Sequence, residues 1–192
     1  NSAALRQLLG LVKSRYVSRE DPAVITAESA ACHFQRALEL EPAHPAAGLN
    51  LAEALDAAGR RPAAIDQARK ALAMLYRHVP INPDHLDGGH FPLGFTSLRV
   101  EWERAAWQNA GDRAAETQAK LTLLRHRLNT LLAEWTGDIV YAYEACLARP
   151  DLPAANFALG QSLVRAGHVH EAIPRLQAAL AANPFHRVAA RT

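Results

Sequence analysis

The chain has few aromatic residues and only two cysteines, and both shortages restrict its fold class. Aromatic residues make up 6% of its 192 residues, whereas hydrophobic residues as a group make up 49%. Ala and Leu must therefore supply most of the packing, which favours closely packed helices over a β-sandwich. Cys32 and Cys146 each lie within a helical pattern and form no CxxC motif, so we interpret both as buried free thiols.

Neither sign of charge dominates, and there is no long apolar run. The 21 basic and 19 acidic residues give a formal net charge of +2, which argues against a dedicated nucleic-acid binder. No apolar run approaches the roughly 18 residues that span a bilayer, and no signal peptide is visible. We therefore expect no membrane insertion and a cytoplasmic location.

Signatures of catalysis are also missing. The sequence has no GxSxG, no HExxH and no glycine-rich phosphate loop, and neither cysteine has a plausible histidine partner nearby in sequence. We therefore predict that the chain is not an enzyme and that it needs no cofactor.

A pattern of small residues repeats along the chain. In the segment 153–184, which reads as two short helices joined by a tight turn, small residues are spaced by seven, five and seven positions: Gly160, Gly167, Ala172 and Ala179. The same spacing occurs upstream at Ala52, Gly59, Ala64 and Ala71, and part of it at Ala30 and Ala37. Because two helices approach to about 8 Å only where small side chains meet, these positions predict helix crossings.

Periodicity and helix breakers predict about nine helices. We place them at 2–17, 22–41, 96–110, 112–135 and 139–149, with two more in each of the hairpins 45–78 and 153–184. The predicted inner face of the second helix is Ala30, Phe34, Ala37 and Leu38. Pro174 is placed in the first turn or so of its helix, where proline is tolerated. The segment 79–95 has three prolines and three glycines and is predicted to be an irregular loop, either functional or flexible.

The spacing of the small residues, with Ala30 lying 34 positions before Ala64, resembles the tetratricopeptide repeat (TPR) family. The resemblance implies an all-α, right-handed solenoid of helical hairpins that covers the whole chain, 1–192. The regular repeats would be about 22–44, 45–78 and 153–184, and 79–152 would be an irregular middle. In such solenoids the first helix of each unit lines a concave groove that binds a peptide or a helix of a partner protein.

By alignment of the two clear units, the resemblance also implies which residues face that groove. In the upstream unit they would be Leu49, Glu53 and Asp56. In the downstream unit they would be Phe157, Gln161, Val164 and Arg165.

The predicted loop holds a second set of candidate residues. Its polar side chains, with one histidine just before it, are His78, Asp84, His85, Asp87 and His90. His85 and His90 flank Asp-Gly-Gly, which has the residue types of a Zn²⁺ site but no known ligand spacing, so turn formation is the competing interpretation and no metal site is assigned. Phe91 and Phe95 would either pack against the solenoid or contact a partner.

Two weaker features complete the candidates. Arg125, His126 and Arg127 form a short basic cluster that we interpret as a solvated helix face. Trp102 and Trp135 lie on apolar stripes and are expected in the core, which leaves Trp107 as the candidate for an exposed aromatic.

Three functions remain open. The first is a non-catalytic protein-interaction scaffold. The second is a docking or regulatory region of a larger bacterial enzyme such as a transferase, since residue usage rich in Ala, Arg and Leu suggests a GC-rich bacterial source. The third is a metal- or ligand-binding helical protein that uses the histidine loop.

Overall fold

The structure is a computed structural model that describes residues 23–76, 108–109 and 111–182. Every regular element in these ranges is an α-helix, which confirms the predicted all-α class for that part of the chain. The seven helices are α1 (Ala23–Leu40), α2 (Pro45–Ala57), α3 (Arg61–Tyr76), α4 (Arg113–Thr136), α5 (Ile139–Ala148), α6 (Pro153–Arg165) and α7 (Val169–Ala182). The predicted helices at 2–17 and 96–110 and the loop at 79–95 lie outside the described residues, apart from 108–109, so the count of about nine stays a prediction.

The chain divides into two compact units, Asn1–Leu124 and Arg125–Thr192. Helices α1, α2 and α3 belong to the first unit and α5, α6 and α7 to the second, and the boundary falls within α4. The prediction that 1–192 forms one solenoid stays a prediction.

Proline and glycine set the turns of the first unit. Helix α1 ends shortly before Pro42, and α2 begins with Pro45, whose missing N–H is not needed in a first turn. Nδ1 of His44 accepts a hydrogen bond from the N–H of Ala47 at 3.3 Å and so caps α2. Gly59, between α2 and α3, has φ of +75°, a left-handed conformation that glycine adopts without steric cost.

The core of the first unit is the predicted one. On α1, Ala30, Phe34 and Ala37 are fully buried, and Leu38 is half-buried. On α2 and α3 the predicted crossing residues Ala52, Ala64 and Ala71 are fully buried. The apolar residues around them are also buried, namely Leu49, Leu55, Ala68 and Leu72. On α1 and α3 the three- and four-residue spacing of apolar positions identifies the buried side, whereas α2 is buried at ten of its 13 residues.

Both units contain a helix crossing at which an added methyl group would force neighbouring atoms to move. A methyl group built on Gly48 of α2 would lie 2.9 Å from Cβ of Ala71 on α3, well inside the usual 3.5–4.0 Å contact of two carbon atoms. A methyl group on Gly160 of α6 would lie 2.7 Å from Cγ of Leu176 on α7. The sequence pattern identified Gly160 and Ala71 as crossing residues but not Gly48.

The second unit has its own core. It is formed by the buried residues Ala133, Ala142, Cys146, Ala155, Leu159, Leu163 and Ala172, with half-buried side chains packed against them. Asp138 caps α5, because its Oδ1 accepts the N–H of Val140 at 2.9 Å. Helices α6 and α7 are the predicted closing hairpin.

Pro174 lies further inside its helix than predicted. Helix α7 begins at Val169, which places Pro174 in the second turn and not in the first. A proline there cannot donate a hydrogen bond to the carbonyl of His170, four residues earlier. His170 is exposed, so water can satisfy that carbonyl.

Helix α4 is buried on all sides over part of its length, and this corrects one prediction. Between Leu123 and Ala133 every residue except the half-buried Arg125 is buried. His126 and Arg127 are only 4% and 8% exposed, so the predicted solvated basic face is wrong. A leucine stripe identifies one buried side of a helix, whereas burial of the other sides depends on neighbours that are distant in sequence.

His126 should make stability depend on pH. Its Nδ1 lies 3.1 Å from the carbonyl oxygen of Ala145, which can only accept, so Nδ1 donates. Burial lowers the pKa of His126 below its ordinary 6.5, helped by the nearby charges of Arg149 and Arg127 and opposed by the Ala145 hydrogen bond and by Asp151. The unfolded chain therefore takes up a proton near pH 6.5 while the folded chain does not. The contribution of neutral His126 to the free energy of unfolding should therefore be fully present above pH 6.5. It should fall as the pH drops below that value, by at most about 1.4 kcal/mol per pH unit.

The measurement is the free energy of unfolding in urea at pH 8 and pH 5.5. His126→Gln replaces the imidazole N–H with an amide N–H donor that cannot titrate. The loss of stability of this variant between the two pH values should therefore be smaller than that of the wild type. Asp151, whose pKa is lowered by the hydrogen bond from Arg149, titrates in a more acidic range and does not interfere. An equal loss in both proteins would contradict the assignment.

Candidate functional site

A groove runs between α1 and α3, with α2 as its floor. It encloses about 640 Å³. Leu51 and Leu55 of α2 are buried beneath it, and the walls carry mainly polar side chains. Its lining residues are Glu28, Ala31, Cys32, Gln35, Leu51, Leu55, Arg60, Ala63, Asp66, Gln67 and Lys70.

A second cavity of about 350 Å³ continues the groove along the same two helices. The two cavities share Gln35, Gln67 and Lys70, so they adjoin at these residues. Beyond them the walls become mostly apolar, with Leu38, Pro42, Ala73 and Met74, while Glu39 is paired with Arg36 at 2.6 Å. We call the two cavities together the α1–α3 groove.

The charged side chains of the α1–α3 groove are largely unused within the protein. Among the described residues, no side-chain hydrogen bond or ion pair involves Glu28, Arg60, Asp66 or Lys70. Asp66 and Lys70 are four residues apart on α3, a spacing at which helix side chains often pair, yet they do not. The groove therefore offers charges of both signs to a molecule that enters it.

The amides in the middle of the groove are also available. The side-chain amides of Gln35 on α1 and Gln67 on α3 form no hydrogen bond within the part of the chain that the structure describes. A primary amide can donate and accept at the same time, as a peptide backbone can. These two walls therefore match the hydrogen-bonding groups of an extended chain.

The two cysteines differ in accessibility. Cys32 lines the groove and is exposed, so the prediction that both thiols are buried is wrong for Cys32. Cys146 is buried as predicted, and burial raises the pKa of its thiol, although the charge of Arg175 opposes this. A thiol reagent should therefore modify Cys32 much faster than Cys146.

The corresponding face of the second unit is bridged. Its positions lie 108 residues after those of the first, so that Tyr143 and Arg175 correspond to Gln35 and Gln67. The hydroxyl of Tyr143 donates to Oε2 of Glu171 at 3.1 Å, which links α5 to α7. Nη1 of Arg175 lies 3.8 Å from the sulfur of Cys146, which is a second contact between α7 and α5. The side chains that would face a ligand are thus engaged with each other.

The predicted groove residues of α2 lie on another side of that helix. At about 100° per residue, Leu49, Glu53 and Asp56 point away from Leu51 and Leu55. Leu49 is 0% exposed, Glu53 and Asp56 are half-buried, and Asp56 forms an ion pair with Arg61.

The predicted residues of α6 remain candidates. Phe157, Gln161 and Val164 are half-buried, and Arg165 is exposed. Val164 packs against the core of the second unit. The candidates in the loop, His85, His90, Phe91 and Phe95, lie outside the described residues. Within those ranges, no group of three or more His, Cys, Asp or Glu side chains is placed to hold a metal ion.

The residues of the α1–α3 groove were not predicted from the sequence, because the resemblance implied a groove lined by the first helix of each unit. A signal was nevertheless present. When the two copies are aligned, the facing positions hold Gln35 and Gln67 in one and Tyr143 and Arg175 in the other. In the second copy Tyr143 pairs with Glu171, whose counterpart in the first copy is Ala63, and an alanine side chain cannot form such a bridge.

The described hairpins have the features on which the sequence resemblance rested. Their helices contain 13 and 16 residues in the first unit and 13 and 14 in the second, with small residues at the crossings. The fold is TPR-like.

In the described ranges, none of the helices is both long and apolar enough to cross a membrane.

Comparisons with known proteins add little to this. No family model and no curated protein matches the chain. Among solved structures it is similar to YrrB, described as a TPR protein with an unusual peptide-binding site. The identity is 20%, the match covers 88% of this chain and 84% of that chain, and the TM-score is 0.33. A similarity at this level carries no functional argument, and the TPR-like character rests on the hairpins themselves.

Proposed function

We propose that this chain is a non-catalytic protein-interaction scaffold and that the α1–α3 groove binds a segment of a partner protein. The observation that supports the proposal most is the unused set of charges and amides along an open groove. The counterparts of the two amides in the second unit, Tyr143 and Arg175, are engaged with neighbouring side chains. Polar groups on a helix face usually satisfy each other or water, and a partner would replace that water with directed hydrogen bonds.

A peptide suits this groove better than a small molecule does. Small-molecule sites are mostly apolar, with a few convergent polar groups. Here polar and apolar groups line the larger cavity in nearly equal measure, and six of its eleven lining residues carry a charge or an amide. Such a surface matches a chain that presents backbone and side chains along its length.

Selection from a random peptide display library against the immobilised chain tests the proposal. The counter-target is Asp66→Lys/Lys70→Asp, which keeps the net charge and the helix-forming residues but reverses the groove charges. As surface changes, these substitutions should alter stability by no more than about 0.5 kcal/mol. We expect selected peptides that bind the wild type and lose binding to this variant.

A second counter-target, Arg165→Glu, examines the α6 surface that the sequence predicted. Peptides that lose binding only to Arg165→Glu would move the site to α6 and contradict the assignment to the α1–α3 groove. A library that yields no peptide sensitive to either variant would contradict the scaffold role itself.

A further inference from the structure

The spacing of groove residues on α3 matches an extended peptide. Met74, Lys70 and Asp66 are four residues apart, which is about 6.0 Å per step along a helix. Alternate residues of an extended chain project to the same side and repeat about every 6.6 Å. Three alternate side chains of one extended segment can therefore face these three residues in turn.

The chemistry of the three positions differs. At the Met74 end the wall is apolar, with Leu38 opposite, which favours an aliphatic side chain. Lys70 lies next, beside Gln35 and Gln67, and its ammonium group favours a carboxylate.

The third position, that of Asp66, belongs to the larger cavity. Asp66 on α3 and Glu28 on α1 both line it, and Arg60 is the one guanidinium among its lining residues. Lys70 balances the charge of the whole cavity, but the carboxylate of Asp66 is the charged group at this step of α3 and favours a basic side chain there.

We infer that the α1–α3 groove binds an extended segment in which an apolar, an acidic and a basic residue follow one another at every second position. This inference rests on the proposed function and names its partner as a short linear motif of a protein. The intervening side chains point out of the groove, and the backbone between the three residues hydrogen-bonds to the amides of Gln35 and Gln67. The groove fixes which side chain lies against which wall, but it does not fix the direction of the peptide backbone. A peptide that runs in either direction can therefore place its three residues in this order along the groove.

Alkylation of Cys32 by iodoacetamide measures occupancy, because Cys32 lies in the groove wall and is exposed. The probes are acetyl-Leu-Ala-Glu-Ala-Arg-amide and its reversed sequence. The control is acetyl-Leu-Ala-Arg-Ala-Glu-amide, which has the same composition with the charges exchanged. A Kd of about 0.1 mM and about 1 mM peptide would slow the alkylation of Cys32 about tenfold by mass action.

We expect protection by the first sequence in at least one direction and little by the control. The variant Asp66→Lys/Lys70→Asp should reverse this preference, so that the control peptide protects better. The buried Cys146 serves as an internal reference, since its modification would report unfolding and not groove access. Equal protection by both peptides, or none by either, would overturn the motif. If display selection still yields groove-dependent peptides in that case, the scaffold function stands and only the motif is wrong.

Discussion

Replacing Phe34 with alanine should lower the free energy of unfolding by about 3–5 kcal/mol. Phe34 is the largest fully buried side chain among the described residues and lies on the inner face of α1. The other buried residues described on α1 are alanines, which cannot extend to fill the space that a phenyl ring leaves. The measurement is urea unfolding followed by circular dichroism at a pH above 7, where His126 is neutral in both states.

Leu40→Ala is the matched control for this prediction. Leu40 ends the same helix and is 37% exposed, so the same kind of truncation should cost less than about 1.5 kcal/mol. Equal losses for the two variants would mean that α1 does not bury the face that contains Phe34.

Replacing Gly48 with leucine should cost about 1–3 kcal/mol or more, because it forces α2 and α3 apart. The first atom of any side chain at this position would already lie 2.9 Å from Cβ of Ala71. Neither Cβ can rotate away, so the backbone of one helix must shift. The loss should appear as a lower urea midpoint.

A compensating pair tests whether the crossing itself is responsible. Gly48→Ala alone should destabilise the protein, whereas Gly48→Ala combined with Ala71→Gly restores one methyl group to the crossing and should recover part of the loss. If the double variant is less stable than the sum of the two single changes predicts, the helices do not cross at these residues.

Much of the fold could be predicted because prolines, glycines and small residues act locally. Pro45 begins α2, Gly59 turns the chain, and Ala64 and Ala172 are buried at crossings, as the sequence pattern predicted. Each of these features depends on residues within one hairpin. Gly48 was not predicted as a crossing residue, because its counterpart in the other copy is Asn156 and the small residue is not repeated there.

The burial of α4 and the open α1–α3 groove were harder to predict. Burial of His126 and Arg127 depends on neighbours distant in sequence, and no local pattern contains them. In the α1–α3 groove Gln35 and Gln67 form no bridge, whereas their counterparts Tyr143 and Arg175 contact Glu171 and Cys146 in the second unit. Whether two side chains meet across a groove depends on their lengths and on the helix separation, which the repeat pattern alone does not give.

The central claim is that the α1–α3 groove is the binding surface, and Met74 provides the most direct measurement. It is the one methionine in the sequence and lines the groove, so a protein labelled with ¹³C-methyl methionine gives a single probe signal from that site. Titration with a display-selected peptide should shift this methyl signal saturably, and Asp66→Lys/Lys70→Asp should abolish the shift. A peptide that binds at the same affinity while the Met74 methyl signal stays unmoved would contradict the claim.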